Sequence, residues 1–117
     1  MSNRVWIRRA YEAPTHNDGY RVLVDRVWPR GVSKEDIHID EWAKDVAPST
    51  ELRKWFGHDP ERWDEFQSRY RKELKGNHAL DELVERSQSK RITLVYGAHD
   101  ELHNQAVLLQ KVIDERR

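Results

Sequence analysis

An aspartate, two arginines and a tryptophan follow an apolar run and are the residues best placed for chemistry. Residues 20–24 have the pattern of a buried strand, and Asp25, Arg26, Trp28 and Arg30 come directly after it. Ligand sites in open α/β sheets form outside the carboxyl ends of the strands. The two arginines could bind a carboxylate or phosphate, with Asp25 handling a proton and Trp28 forming a wall. Equally, Asp25 could simply pair with an arginine where the strand ends.

A second polar segment follows the apolar run at residues 92–96. We predict that Tyr96, Asp100 and Asn104 contribute to ligand binding and that His103 is a catalytic candidate. A final helix is expected to begin at Asp100, and the free N–H groups of a helix N-terminus favour anions. In the structural alternative, Asp100 only caps the helix, His103 packs against a neighbour and Tyr96 belongs to the core.

A third candidate segment surrounds a short helix that we predict from Ser49 to Phe56. Its Arg53 is predicted as a further anion ligand, and His58 as a general base, because an imidazole titrates near neutral pH. The alternative for His58 is an ordinary loop histidine that is satisfied by solvent or backbone.

No metal site is predicted. His99 and His103 are four residues apart, but the pattern is H-D-x-x-H rather than H-E-x-x-H, and His99 precedes the expected helix. The chain has no cysteine, which excludes disulfides, thiol catalysis and cysteine-ligated metals.

The elements that must position these residues are strands alternating with helices. We expect strands near residues 4–8, 20–25 and 91–96, and helices mainly after residue 48. This order predicts an α/β fold with a small, mainly parallel sheet of three or more strands and helices packed around it. The segment between the first two strands is short for a parallel crossover, so the direction of the first strand stays open. The exits of the second and third strands should lie side by side.

Length and charge narrow the class of protein. The 117 residues suit a single domain spanning 1–117, and the formal net charge is zero, which disfavours nucleic acid as a partner. No apolar run approaches a signal peptide or a membrane span, so a cytoplasmic protein that does not bind membranes is expected. The oligomeric state is left open, and no cofactor is predicted.

Three long motifs carry a resemblance to a known family. They are DGYRVLVDRVWPRG at 18–31, APSTELRKWFGHDP at 47–60 and LVYGAHDELHNQA at 94–106. In this order they resemble the YeaO-like branch of the bacterial domain-of-unknown-function family 488. The resemblance implies a small bacterial cytoplasmic α/β protein and brings no established activity. Members commonly have Ser or Ala where Gly97 stands and Lys or Arg where His99 stands, so these two positions depart from the pattern.

Together these patterns predict a small protein that binds or acts on a small anionic molecule at the carboxyl ends of its strands. The sequence identifies no nucleophile, and whether the protein is an enzyme is left open. The alternative is a regulatory module that binds nucleic acid or a protein partner through an arginine- and tryptophan-rich surface.

Overall fold

The computed structural model describes residues 5–117, and its centre is a four-stranded parallel sheet. The strand order is β1-β4-β2-β3, so β4, the last strand in the chain, lies between the first two. The strands are β1 (Val5–Arg9), β2 (Tyr20–Leu23), β3 (Glu41–Trp42) and β4 (Ile92–Tyr96). The predicted α/β class with a parallel sheet is therefore confirmed, and the two-residue β3 is a strand that we did not predict.

The first strand is parallel to its neighbour. Val5 lies opposite Ile92 and Arg9 opposite Tyr96 in the β1–β4 ladder. The segment at 10–19, with one 3₁₀ turn at His16–Asp18, joins β1 to β2 past the intervening β4, where the Thr93 hydroxyl donates to the Asp18 carbonyl at 2.6 Å. Residue 4, where we expected the first strand to start, lies outside the described residues.

Five α-helices accompany the sheet within residues 5–117: α1 (Lys34–Ile37), α2 (Thr50–Phe56), α3 (Trp63–Leu74), α4 (His78–Ser89) and α5 (Gln105–Arg116). Side-chain caps mark four of their starts, those of α1, α2, α4 and α5. The side chains of Ser33, Ser49 and Asn77 each accept a backbone N–H from the first helical turn, as their residue types predict. Asp59 and Pro60 have the residue types of a helix start, and they open a 3₁₀ turn, Pro60–Arg62, that leads into α3.

The last helix begins later than we predicted. Asn104, and not Asp100, is its cap: the Asn104 Oδ1 accepts the Val107 N–H at 3.1 Å. Asp100 instead closes the preceding bend by accepting the N–H groups of Leu102 and His103. Leu102 stands four positions before Ala106, a spacing that favours the buried face of a helix from Asp100, but it is 72% exposed in the bend. Both Asp and Asn suit a cap, and the apolar stripe that packs on the sheet starts only at Ala106.

The two faces of the sheet are covered unequally. One face carries the main core, in which Val22, Leu94 and Tyr96 pack against helices α2 to α5. The other carries a small cluster of Ala10, Leu23, Ile37 and Val95, joined by partly buried residues of the 28–42 segment. No helix within residues 5–117 is long and apolar enough to cross a membrane. What matters for function is that β1, β4 and β2 end at one common edge, which we call the carboxyl edge.

Candidate functional site

The exits of β2 and β4 are joined directly, as predicted. Val24 continues the ladder by donating its N–H to the Val95 carbonyl at 3.0 Å. One residue later, the Asp25 carboxylate turns across to β4 and accepts the Gly97 N–H on Oδ2 at 2.9 Å. The approach is so close that a Cβ at position 97 would stand 2.9 Å from that oxygen. Asp25 therefore ties together two segments that are far apart in the sequence.

Asp25 is the electrostatically unusual group of this edge. Burial raises its pKa to about 6, although the Gly97 N–H, the Gln105 amide and the Arg53 charge act in the opposite direction. The Gln105 Nε2 donates to the second carboxylate oxygen, Oδ1. At a pH near 6 the group therefore exists in both protonation states, whereas the carboxylate predominates at pH 7 and above.

Helix α2 brings Arg53 to the same edge. Arg53 is exposed, and its guanidinium lies near enough to lower the Asp25 pKa without forming an ion pair with it. Gly57 ends the helix in the left-handed conformation at φ 53°, and His58 follows with φ 57° and an exposed ring. The Arg53 charge is thus within electrostatic range of Asp25, and His58 follows the end of the helix.

An aromatic cluster connects the two predicted histidines. The Phe56 ring centre is 6.4 Å from that of His58 and 6.0 Å from that of Trp63. Trp63 in turn meets His103 edge to face, with ring centres 5.4 Å apart. His58 and His103 thus border the same cluster on two sides.

The bend that leads into α5 is held by internal hydrogen bonds. The His103 Nδ1 lies 2.9 Å from the Asp100 Oδ2. The Asp100 pKa is lowered, first by the N–H that Leu102 donates and then by His103, so this carboxylate stays ionised. Asn104 is buried, and its amide is used within the bend: Nδ2 donates to the Asp100 carbonyl at 2.8 Å. The side chains of His103 and Asp100 are both partly exposed.

Tyr96 belongs to the core. Its side chain is only 2% exposed, and burial raises its pKa above the ordinary value. Its backbone carbonyl accepts the Ala10 N–H at 2.7 Å, which extends the ladder beyond β1. Tyr96 therefore stabilises the carboxyl edge through its buried side chain and its backbone carbonyl.

Arg26, Trp28 and Arg30 leave the strand in different directions. Arg26 donates from Nε to the Pro48 carbonyl and from Nη2 to the Ala47 carbonyl, at 3.0 and 3.1 Å. Trp28 donates its indole N–H to the Val32 carbonyl at 2.6 Å. Arg30 has an exposed side chain, and its backbone carbonyl accepts the Tyr11 hydroxyl at 2.8 Å. Arg26 and Trp28 therefore shape the loops beside the edge, while Arg30 leaves its guanidinium in solvent.

Two residues at the edge were missed by sequence reasoning. Gln105 donates to Asp25, and no local pattern could have revealed a contact across 80 residues of chain. Arg9 is the last residue of β1, and its Nε donates to the Ala98 carbonyl at 2.9 Å. The signal that singled out Asp25 and Arg26, a polar residue where a strand ends, applies equally to Arg9.

The two histidines of the H-D-x-x-H pattern diverge. His103 turns to Asp100, while the His99 Nδ1 lies 3.4 Å from the Arg9 guanidinium. Residues 5–117 contain no group of three or more histidines and acids arranged to hold a metal ion.

A groove of about 570 Å³ lies beside the carboxyl edge rather than in it. It runs between β3 and the start of α4 and shares with the edge only Trp42, whose indole N–H donates to the Asp25 carbonyl at 2.7 Å. Its other lining residues were not among our predicted site residues; they are Glu41, Ala43, Lys44, Asp45, Asn77, His78, Ala79 and Glu82.

Comparison of the sequence with known proteins places the chain in a family. Uncharacterised proteins of Mycobacterium bovis and Mycobacterium tuberculosis are 44% identical over 113 residues, which cover 97% of this chain and 96% of theirs. The uncharacterised protein YeaO of Escherichia coli is 39% identical over 103 residues, covering 87% of this chain and 90% of its own. No solved structure matches the chain significantly. Residues 4–117 match the family model described as the inactive DUF488-N3 subclade, and the chain therefore belongs to this YeaO-like branch of the DUF488 family.

Proposed function

We propose that this protein binds a small anionic molecule at the carboxyl edge of its sheet. The supporting observation is the distribution of arginines that no carboxylate neutralises. Within residues 5–117, the arginines paired with an acid are Arg8, Arg21, Arg62, Arg69, Arg71, Arg116 and Arg117. Those without an acidic partner in the same part of the chain are Arg9, Arg26, Arg30, Arg53, Arg86 and Arg91.

Four of these unneutralised arginines, Arg9, Arg26, Arg30 and Arg53, lie on the segments that form the carboxyl edge. Acids also lie near this edge, among them Glu12, Asp25 and Asp100, but none of them forms an ion pair with these four guanidinium groups within residues 5–117, so an anionic ligand can complement them. Charge-assisted hydrogen bonds from arginine to an oxyanion are among the strongest polar contacts available. The edge accordingly suits a small molecule that carries carboxylate or phosphate groups.

Asp25 and His103 contribute selectivity in this proposal. Because the Asp25 pKa is about 6, its carboxyl can meet a hydroxyl or amine of the ligand next to the anionic group. His103, which Asp100 holds in place, offers its other ring nitrogen. The description of the subclade as inactive favours binding over bond-making, so we assign Asp25, His58 and His103 to ligand orientation rather than to a reaction.

A titration with small anions tests this proposal. Phosphate, sulfate, acetate and citrate are added to the labelled protein while backbone amide shifts are followed by NMR. We expect saturable shifts at 25–30, 53 and 97–105, and a ten- to hundredfold weaker affinity in Arg53→Gln. Lys54→Gln is the matched control, since Lys54 is the next residue on the same helix and is also exposed. Absence of saturable binding for all four anions would refute the proposal, and so would equal losses in the two variants.

A specific observation also supports the alternative of a nucleic-acid-binding module, but on the opposite edge. Arg86 and Lys90 lie over the Tyr20 ring at 4.2 and 5.5 Å, and Arg91 lies 5.6 Å from the Trp6 ring centre. Basic and aromatic side chains in alternation can bind single strands through phosphates and stacked bases. The zero net charge makes this the weaker candidate. It requires oligonucleotide affinity that falls steeply with salt and that Arg86→Gln weakens, whereas salt-independent or undetectable binding would exclude it.

A further inference from the structure

We infer that Arg9 is the residue that anchors the anionic group, and that the group is a phosphate monoester rather than a carboxylate. This inference rests on the proposed function and names the ligand class of the same edge. It concerns the exit of β1, next to the Asp25 position, where sequence analysis placed no ligand residue.

Three contacts hold the Arg9 side chain in one orientation. Its Nε donates to the Ala98 carbonyl at 2.9 Å, which fixes one side of the guanidinium. The guanidinium carbon lies 4.8 Å from the centre of the Tyr11 ring, which supports it from one face. The Nη2 lies 3.4 Å from the His99 Nδ1. Because these contacts already restrict the rotamers of Arg9, a ligand would lose less affinity to the ordering of this side chain.

The Arg9 guanidinium also has N–H donors that no carboxylate among residues 5–117 accepts. Glu12 is the acid next to it in the loop, but its Oε2 accepts from Arg8 and its Oε1 from the Arg9 backbone N–H. No carboxylate in the described part of the chain pairs with the Arg9 guanidinium. Its remaining N–H donors form the planar fork that matches two oxygens of a phosphate or carboxylate.

The contact between His99 and Arg9 determines which ring nitrogen of His99 can donate to a ligand. A guanidinium has only donors, so its contact with the His99 Nδ1 is a hydrogen bond only when this nitrogen carries no proton. The proton of the neutral ring then resides on Nε2, which donates away from Arg9. His99 is exposed, so this N–H can reach a ligand oxygen.

Tyr11 links Arg9 to the loop that carries a second arginine, Arg30. Its ring lies against the Arg9 guanidinium, and its hydroxyl donates to the Arg30 carbonyl at 2.8 Å. The loop that carries Arg30 is therefore fastened beside Arg9. Arg9 and the His99 N–H offer several donors in one place, and the exposed Arg30 on this loop adds positive charge nearby. This combination suits the doubly charged, three-oxygen surface of a phosphate monoester better than a monoanionic carboxylate.

The test compares anions and variants on the full chain. Inorganic phosphate and phenyl phosphate are titrated by NMR and calorimetry against acetate and benzoate. We expect both phosphates to bind at least tenfold more tightly than the carboxylates, with amide shifts at 9–12 and 97–99. Arg9→Lys keeps the charge but loses the fork, and it should weaken phosphate binding ten- to hundredfold. Arg91→Gln is the control, because Arg91 also lacks an acidic partner among the described residues but lies at the opposite edge.

Tyr11→Phe and Tyr11→Leu separate the two roles of the tyrosine. Phenylalanine keeps the ring beneath Arg9 and removes only the bond to the Arg30 carbonyl, so we expect a loss of less than fivefold. Leucine removes both and should approach the effect of Arg9→Lys. Circular dichroism and thermal unfolding verify that each variant is folded before its affinity is compared.

The outcomes distinguish the inference about Arg9 and phosphate from the proposal that the carboxyl edge binds anions. Carboxylates binding as tightly as phosphates, or phosphate affinity lost in Arg53→Gln but kept in Arg9→Lys, would overturn the inference and leave anion binding at the edge intact. No binding of any anion would remove both. An equal loss in Arg91→Gln and Arg9→Lys would overturn the inference too, because it would mean that phosphate binds by charge alone.

Discussion

Asp18 and Asp25 lie at opposite ends of β2 and have opposite electrostatic surroundings. Asp18 precedes the strand and is 4% exposed, with Oδ2 at 2.5 Å from the Arg21 Nη1 and Oδ1 at 3.3 Å from the Arg8 Nε. Thr15 adds its backbone N–H and its hydroxyl. Burial acts to raise the Asp18 pKa, but these donors and cations outweigh it, and the pKa is lowered.

Asp25 follows the same strand and receives only uncharged donors. Gly97 and Gln105 each satisfy one oxygen, and the Arg53 charge acts from a distance, so burial prevails and the pKa rises to about 6. At the amino end of β2, charges are neutralised inside the protein. At the carboxyl end, the Asp25 carboxylate forms no ion pair with the arginines among the described residues.

The largest expected effect is the loss of the Asp18 ion pair. Asp18→Asn leaves the Arg21 guanidinium, 96% buried, without its counter-charge, and removing one partner of a buried pair typically costs about 3–5 kcal/mol. Because the Asp18 pKa is lowered in the fold, its contribution is present at neutral pH and disappears as the pH falls through this lowered value. Urea unfolding of the parent and the variant at pH 7 and pH 3 measures the loss of stability and its dependence on pH.

Asp114→Asn is the matched control for this substitution. Asp114 pairs with Arg117 at the surface, where such pairs contribute about 0.2–1 kcal/mol. A loss below about 1 kcal/mol for Asp18→Asn would mean that the two ends of β2 do not differ in the way described.

Asp25→Asn should stabilise the folded protein at high pH, whereas Asp18→Asn destabilises it. A carboxyl whose pKa is raised from 3.8 to about 6 destabilises the folded protein above that range, and the cost fades as the pH falls to 4 and below. Asparagine can still accept the Gly97 N–H without a charge. We therefore expect the variant to be more stable than the parent at pH 8, by up to about 3 kcal/mol, and equal to it near pH 4.

Thermal or urea unfolding across pH 4–8 checks this expectation. A variant that is less stable at pH 8 and shows an unchanged pH profile would mean that the Asp25 carboxylate is needed as a structural acceptor. The electrostatic contrast with Asp18 would then be wrong.

Gly97→Ala tests the close approach of the two strand exits. The added Cβ would stand 2.9 Å from the Asp25 Oδ2 and 3.4 Å from the Pro29 Cβ, so the carboxyl must move. Crowding of this kind typically costs about 1–3 kcal/mol. A double-mutant cycle sharpens the test: in an Asp25→Ala background the same substitution should cost clearly less, whereas equal costs in the two backgrounds would show that the crowding does not involve Asp25.

The parts of this edge that could be read from the sequence are the local ones. The caps at Ser49 and Asn77, the apolar strands β2 and β4 and the polar residues that follow them depend on neighbours a few positions away. Their side-by-side exits followed from the parallel class of the sheet. The start of α5 was misplaced because two cap residues, Asp100 and Asn104, stand four positions apart and only packing decides between them.

The sequence could not predict which polar side chains form hydrogen bonds with distant parts of the fold. Arg26 looked like an anion ligand, yet two of its donor atoms bind carbonyls of a loop more than twenty positions away. Arg9 was not among the predicted site residues of the carboxyl edge, yet its guanidinium is oriented by Ala98 and Tyr11. Such pairings depend on the tertiary fold, and β3 escaped prediction because a strand of two residues has no detectable period.

The smallest expected effect concerns Arg53, whose charge lowers the Asp25 pKa from a distance. Arg53→Gln should change stability at pH 7 by less than about 0.5 kcal/mol, because an exposed cation without a direct partner contributes little. It should nevertheless move the Asp25 pKa upward, which an NMR titration of the Asp25 carboxyl carbon can follow. Lys54→Gln, one position along the same helix, should leave that titration nearly unchanged. If both substitutions shift the titration equally, Asp25 senses only the overall charge of the protein, and the carboxyl edge holds no specific pairing of Arg53 with Asp25. If only Arg53→Gln shifts it, the two groups act on the same small region of space, as a shared ligand site requires.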